Sequence, residues 1–183
     1  MDARNPSSTY PVQVSRFLNM NMLNQAIGGY HFEADSIDGT IPFKPDLITV
    51  AYGTNDWKKH KSMDELSYKC KEYLDKLIET FPNTPVYIIT PIWRAIMFNQ
   101  LDTGTLLDVI EEIKRICNNY ENVNIIDGLK LVPNLPKYYN DGTHPNDEGF
   151  LHYSINLCKA LSGSNIFQMS LQQQSIKQSD LKS

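Results

Sequence analysis

Short apolar runs rich in β-formers alternate along this chain with longer stretches of helical period, and that alternation restricts it to an α/β domain with a parallel sheet. Leu47 to Tyr52 is the clearest strand. It is apolar throughout except at Thr49, as expected when helices cover both faces of a sheet. Val86 to Thr90, stopped by Pro91, and Val123 to Ile126 read the same way. Met22 to Ile27 reads as an earlier strand running into Gly28-Gly29.

The helices between them carry start and stop signals. Thr9 as cap and Pro11 in the first turn open one helix, with Tyr10, Val14, Phe17 and Leu18 along a face. Ser62 with Glu65 forms a capping-box pattern ahead of Leu66, Cys70, Tyr73, Leu77 and Phe81 at helical spacing, and Pro82 ends that helix. Leu106, Ile110, Ile113, Cys117 and Tyr120 mark another, and a last helix is expected from about Asp147 to Leu161. From Ser162 to Ser183 the chain turns to Ser, Gln and Lys, which predicts a disordered tail after a single domain over 1–161. Four strands and four helices result, and the first element is a helix rather than the strand with which a doubly wound fold would begin.

The 183 residues suit one domain with one sizeable core. A net charge of −4 cannot neutralise many phosphates, which argues against a nucleic-acid binder. No apolar run approaches the roughly 20 residues that span a bilayer. Cys70, Cys117 and Cys158 fall on buried helix faces, and three cysteines without short spacing make neither a disulfide framework nor a zinc site.

Ligands of open parallel sheets bind beyond the carboxyl ends of the strands. Three glycine-containing polar segments sit there or just before the last helix. In Gly53-Thr54-Asn55-Asp56 the Asn55 amide can act as a donor to developing negative charge, or the segment can simply turn and cap. In Asp141-Gly142-Thr143-His144 a carboxylate three residues upstream can reach back across a tight turn. It would fix one imidazole nitrogen so that the other takes a proton. The competing reading makes Asp141 a turn residue, Asn146 or Asp147 the cap of the last helix, and His144 incidental. Gly29 offers a bare backbone N–H or merely a tight turn.

Together, Asn24 to Gly29, Pro45 to Asp56 and Asp141 to Asp147 resemble, in order, the second, third and fifth blocks of the SGNH (GDSL-like) hydrolase family. The resemblance implies a three-layer α/β/α, flavodoxin-like fold with sheet order 2-1-3-4-5, and a serine esterase. In that scheme His144 is the general base, Asp141 orients it, and Gly29 N–H with Asn55 forms the oxyanion hole. No cofactor or metal is implied, and Asp141 and His144 have no third or fourth ligand at suitable spacing. Asp56, Trp57 and His31 are the candidate substrate-binding residues, with Trp93 and Arg94 at a further strand end able to meet a substrate such as a sugar ester. His60 is expected in a solvated loop and His152 in a structural position.

The family's first block, Gly-Asp-Ser, which supplies the nucleophile, occurs nowhere in the sequence. Ser7 and Ser8 are the nearest serines to its expected place and sit in a turn-and-cap context. The expectation is therefore a truncated esterase domain lacking its first, central strand, unstable or aggregation-prone alone, or else a non-catalytic remnant that keeps the pocket. The resemblance leaves the acyl group, alcohol and oligomeric state open. A cytoplasmic location is the default reading, with secretion left open because a signal peptide would precede the missing block.

Overall fold

The structure is a computed structural model and describes residues 3–163. Of the expected tail from Ser162, residues 164–183 lie outside the described residues. Helix α1 (Tyr10–Phe17) is followed by a long irregular segment, then β1 (Ile48–Val50), the short α2 (Asp56–Lys59) and α3 (Met63–Thr80). β2 (Val86–Ile89), α4 (Leu106–Cys117), β3 (Val123–Ile126) and α5 (Asp147–Ser162) complete it.

The three strands form a parallel sheet in the order β1-β2-β3, with Ile48 opposite Val86 and Val86 opposite Val123. β2 is buried along its whole length, and the side-chain period of two divides it between two cores. Val86 and Ile88 pack with Leu66, Leu74 and Leu77 of α3 and Val109, Ile110 and Ile113 of α4. Tyr87 and Ile89 pack with Tyr153, Leu157 and Leu161 of α5 and with Tyr10, Val14 and Leu18 around α1. The result is the parallel α/β domain expected from the alternation, in the three-layer α/β/α arrangement that the resemblance implies. Tyr10 and Tyr153 stack at 4.1 Å between ring centroids, fastening α1 to α5.

The expected Thr9 cap of α1 does not form, since Thr9 Oγ1 donates back to Pro6 O, whereas α3, α4 and α5 start on side-chain caps. Ser62 Oγ accepts from Glu65 N–H, but the Glu65 carboxylate reaches the Lys61 N–H instead of closing the expected box. A complete box forms where none was expected, between Thr105 and Asp108 at the start of α4. Asn146 caps α5 through the Gly149 N–H. Cys70 and Cys117 are buried and Cys158 half-buried, all as free thiols.

One expected strand does not form. Residues 22–27 are irregular, with Met22, Leu23 and Ile27 exposed. A strand needs a neighbour to take its N–H and C=O groups, and no described strand lies beside this segment. β1 is correspondingly an edge: Ile48 N–H donates inward to Pro85 O, so by alternation Leu47, Thr49 and Ala51 turn their backbone groups outward, where no described strand pairs with them. Along that edge runs a groove of about 1350 Å³ between α1 and α5 on one side and Leu77 and Phe81 on the other.

Candidate active site

The groove opens at the carboxyl ends of the strands, where Gly29, Asn55, Arg94, Thr143 and His144 line it. The Gly53 to Asp56 turn leaves β1 with Gly53 at φ 101°, a conformation costly for a side-chain-bearing residue. A Cβ there would also lie 2.6 Å from Ile113 Cδ1. Asn55 follows at the start of α2, exposed, and its Nδ2 donates to Tyr30 O at 2.8 Å. That bond spends one amide hydrogen on orientation, and the other makes no bond within the described residues.

The second turn is a compact device. Asp141 Oδ1 accepts from the N–H groups of Thr143 at 2.9 Å and His144 at 2.8 Å, while Oδ2 accepts from His144 Nδ1 at 2.8 Å. Gly142 at φ 73° allows the reversal, and its carbonyl accepts from Ala95 N–H at 2.8 Å, tying the turn to the segment after β2. These bonds, the His144 N–H first, hold the Asp141 carboxyl down at about 2. Because the carboxylate accepts from Nδ1, the imidazole proton sits there and Nε2 is the ring's acceptor. One carboxylate thus closes the turn and bonds the His144 ring.

The three expected substrate contacts are placed elsewhere. Asp56 is fully buried: Oδ1 accepts from Phe32 N–H at 2.9 Å and Oδ2 from Gly53 N–H at 2.8 Å. It joins the segment after Gly29 to the turn that bears Asn55, and it touches no open surface. Trp57 is also fully buried, its Nε1 donating to Gly104 O at 2.8 Å. The helical turn of α2 places both side chains inward. His31 leans on Tyr30 and His60, with Nε2 3.6 Å from Glu33, outside the groove lining.

His60 is a further correction, being buried rather than solvated. Its Nε2 lies 3.3 Å from Asp56 Oδ1, and its Nδ1 lies 3.4 Å from Glu65 Oε1 without hydrogen-bond geometry. The i, i+4 spacing from Asp56 was the available signal, obscured by the lysines around it. His152 stacks edge-on against Tyr138. Ser7 and Ser8 lie in a 3₁₀ turn capped by Asn5, whose side chain accepts from Ser8 N–H and from both hydroxyls, and neither serine lines the groove.

The sequence model of the GDSL-like lipase/acylhydrolase family matches residues 2–150. The chain belongs to that family. No curated protein matches the sequence. Among solved structures, a GDSL-like lipase from Bacteroides ovatus is 23% identical at a TM-score of 0.74, covering 91% of this chain and 49% of its own. A salicylyl-acyltransferase from a tetracycline biosynthetic pathway is 18% identical at 0.67, covering 90% and 52%. A family two carbohydrate esterase from Clostridium thermocellum is 14% identical at 0.64, covering 86% and 54%. These likenesses establish the flavodoxin-like fold of the family, and the chain spans about half the length of each. Among the described residues no helix is long and apolar enough to cross a membrane, and no group of three or more His, Cys, Asp or Glu could hold a metal ion.

Proposed function

We propose that this chain carries the acid–base and oxyanion half of a serine ester hydrolase, whose nucleophile is brought by a strand seated against the free edge of β1. The observation that carries the reading is the Asp141–His144 pair at 2.8 Å, opening on the same groove as Asn55 and Gly29. A serine at the carboxyl end of that slot would attack the ester carbonyl. His144 Nε2 takes the hydroxyl proton and later returns it to the leaving alcohol, while Asp141 stabilises the imidazolium. Gly29 N–H and the second Asn55 amide hydrogen stabilise the oxyanion, where loss of one donor costs about 10²–10³ in rate. The substrate is a small-molecule or carbohydrate ester, in keeping with the carbohydrate esterase among the structural neighbours.

The absence of Gly-Asp-Ser from the sequence favours one other reading, a module that keeps the pocket and binds without forming an acyl-enzyme. Fluorophosphonate labelling separates them. The chain by itself is expected to take no label at Ser7, Ser8 or any other serine. Joined upstream to a strand ending in Gly-Asp-Ser, it should label at that serine and hydrolyse esters, with His144→Ala abolishing turnover. Labelling of a serine already in the chain would remove the need for the added strand, and an inert fusion would leave the binding module.

A further inference from the structure

We propose that Arg94 makes this site selective for esters whose acyl part carries a carboxylate, an inference that rests on the esterase reading of the groove. Arg94 follows β2 and is 8% exposed, yet no carboxylate of the described residues pairs with it. Its one described hydrogen bond runs from Nη2 to Thr143 Oγ1 at 3.2 Å, within the turn that carries His144. Nε is buried without a partner. Nη1 and the second Nη2 hydrogen make no bond among the described residues, on a side chain that lines the groove. The guanidinium also lies over the Trp57 ring at 5.9 Å, which fixes its plane against a rigid buried surface.

A guanidinium stays charged even when burial depresses its pKa, as it does here. A buried cation without a counter-charge is costly, and proteins tolerate one chiefly where something pairs with it. Asp141 is the nearest acidic influence, but its oxygens are committed to Thr143 and His144. The missing partner is therefore best supplied from the groove. A planar fork with donors to spare suits a carboxylate, which it can engage through two parallel bonds. Since Arg94 is tied to the turn bearing His144, such a carboxylate would sit close to the ester under attack. It would add affinity by filling the position that the protein leaves unpaired.

The test is equilibrium binding to the full chain, which does not depend on a nucleophile. Isothermal titration compares monomethyl glutarate with methyl valerate, an ester of the same chain length that lacks the carboxylate. The anionic ester is expected to bind about tenfold tighter or more, with the advantage shrinking as salt rises. In Arg94→Met the two esters should bind alike, the anionic one having lost its advantage, and Arg94→Lys, which keeps a cation on a similar stem, should retain part of it. Equal binding of the two esters by the wild type would overturn the proposal. So would a preference that survives in Arg94→Met, or inorganic phosphate binding at Arg94 more tightly than the monoester. Discrimination that persists in His144→Ala separates this inference from the esterase reading: that variant removes the proposed base and leaves the Arg94 site intact.

Discussion

Asp56 offers the sharpest test of how the site is held. Replacing it with alanine removes the acceptor for two buried backbone donors, Phe32 N–H and Gly53 N–H, in a place without solvent access. An orphaned buried donor costs about 1–3 kcal/mol, so Asp56→Ala should destabilise by about 2–6 kcal/mol out of a domain total of about 5–15 kcal/mol. The His60 contact at 3.3 Å is lost as well. Asp56→Asn keeps one acceptor oxygen and turns an amide N–H₂ toward the second donor, so its cost should be about half. In urea unfolding followed by far-UV circular dichroism, an m of about 2 kcal/mol/M converts the alanine loss to a midpoint shift of about 1–3 M at constant m. Amide exchange should quicken at Phe32 and Gly53 ahead of the rest of the core. A loss under about 0.5 kcal/mol, the range of ordinary surface substitutions, would refute the clamp, as would unchanged exchange at those two amides.

Gly128 tests the close approach at the end of β3. An added Cβ would stand 1.9 Å from Thr90 O and 2.7 Å from Pro91 O, both backbone atoms that a rotamer change cannot move aside. Gly128→Ala should cost about 1–3 kcal/mol and lower Tm by roughly 2–12 °C in calorimetry, and an unchanged Tm would count against this packing. Asp141 predicts an acid transition. Its carboxyl is held at about 2 against an ordinary 3.8, so its stabilisation of the turn is full above about pH 4 and fades as pH falls toward 2. The Thr143 and His144 amide shifts should report that midpoint by NMR, and Asp141→Asn should abolish the titration. The free edge of β1 should drive self-association, and Thr49→Lys, a charge on that exposed edge, should shift sedimentation toward monomer. A wild-type chain that is monomeric and melts cooperatively at high temperature would show that the edge is not a liability.

Elements built from local signals were legible in the sequence. The spacing of Leu66, Cys70, Tyr73 and Leu77 forms the buried stripe of α3, and Leu106, Ile110 and Ile113 that of α4. The apolar runs of β2 and β3 became strands because helices cover both their faces. The Asp141 to His144 turn was readable too, since a carboxylate three residues before a histidine closes its own hydrogen bonds with no help from the rest of the chain.

What the sequence could not decide depended on neighbours distant along the chain. Met22 to Ile27 has a strand's composition, but a strand is stabilised by its ladder, and no described strand lies beside it. Asp56 and Trp57 looked like groove residues until a short helical turn carried both inward, against Phe32 and Gly104, partners 24 and 47 positions away. The same holds for Arg94, which is buried with no carboxylate among the described residues paired to it. Local bonding could specify the dyad, but only the packed fold shows which charges have partners and which face a groove without one.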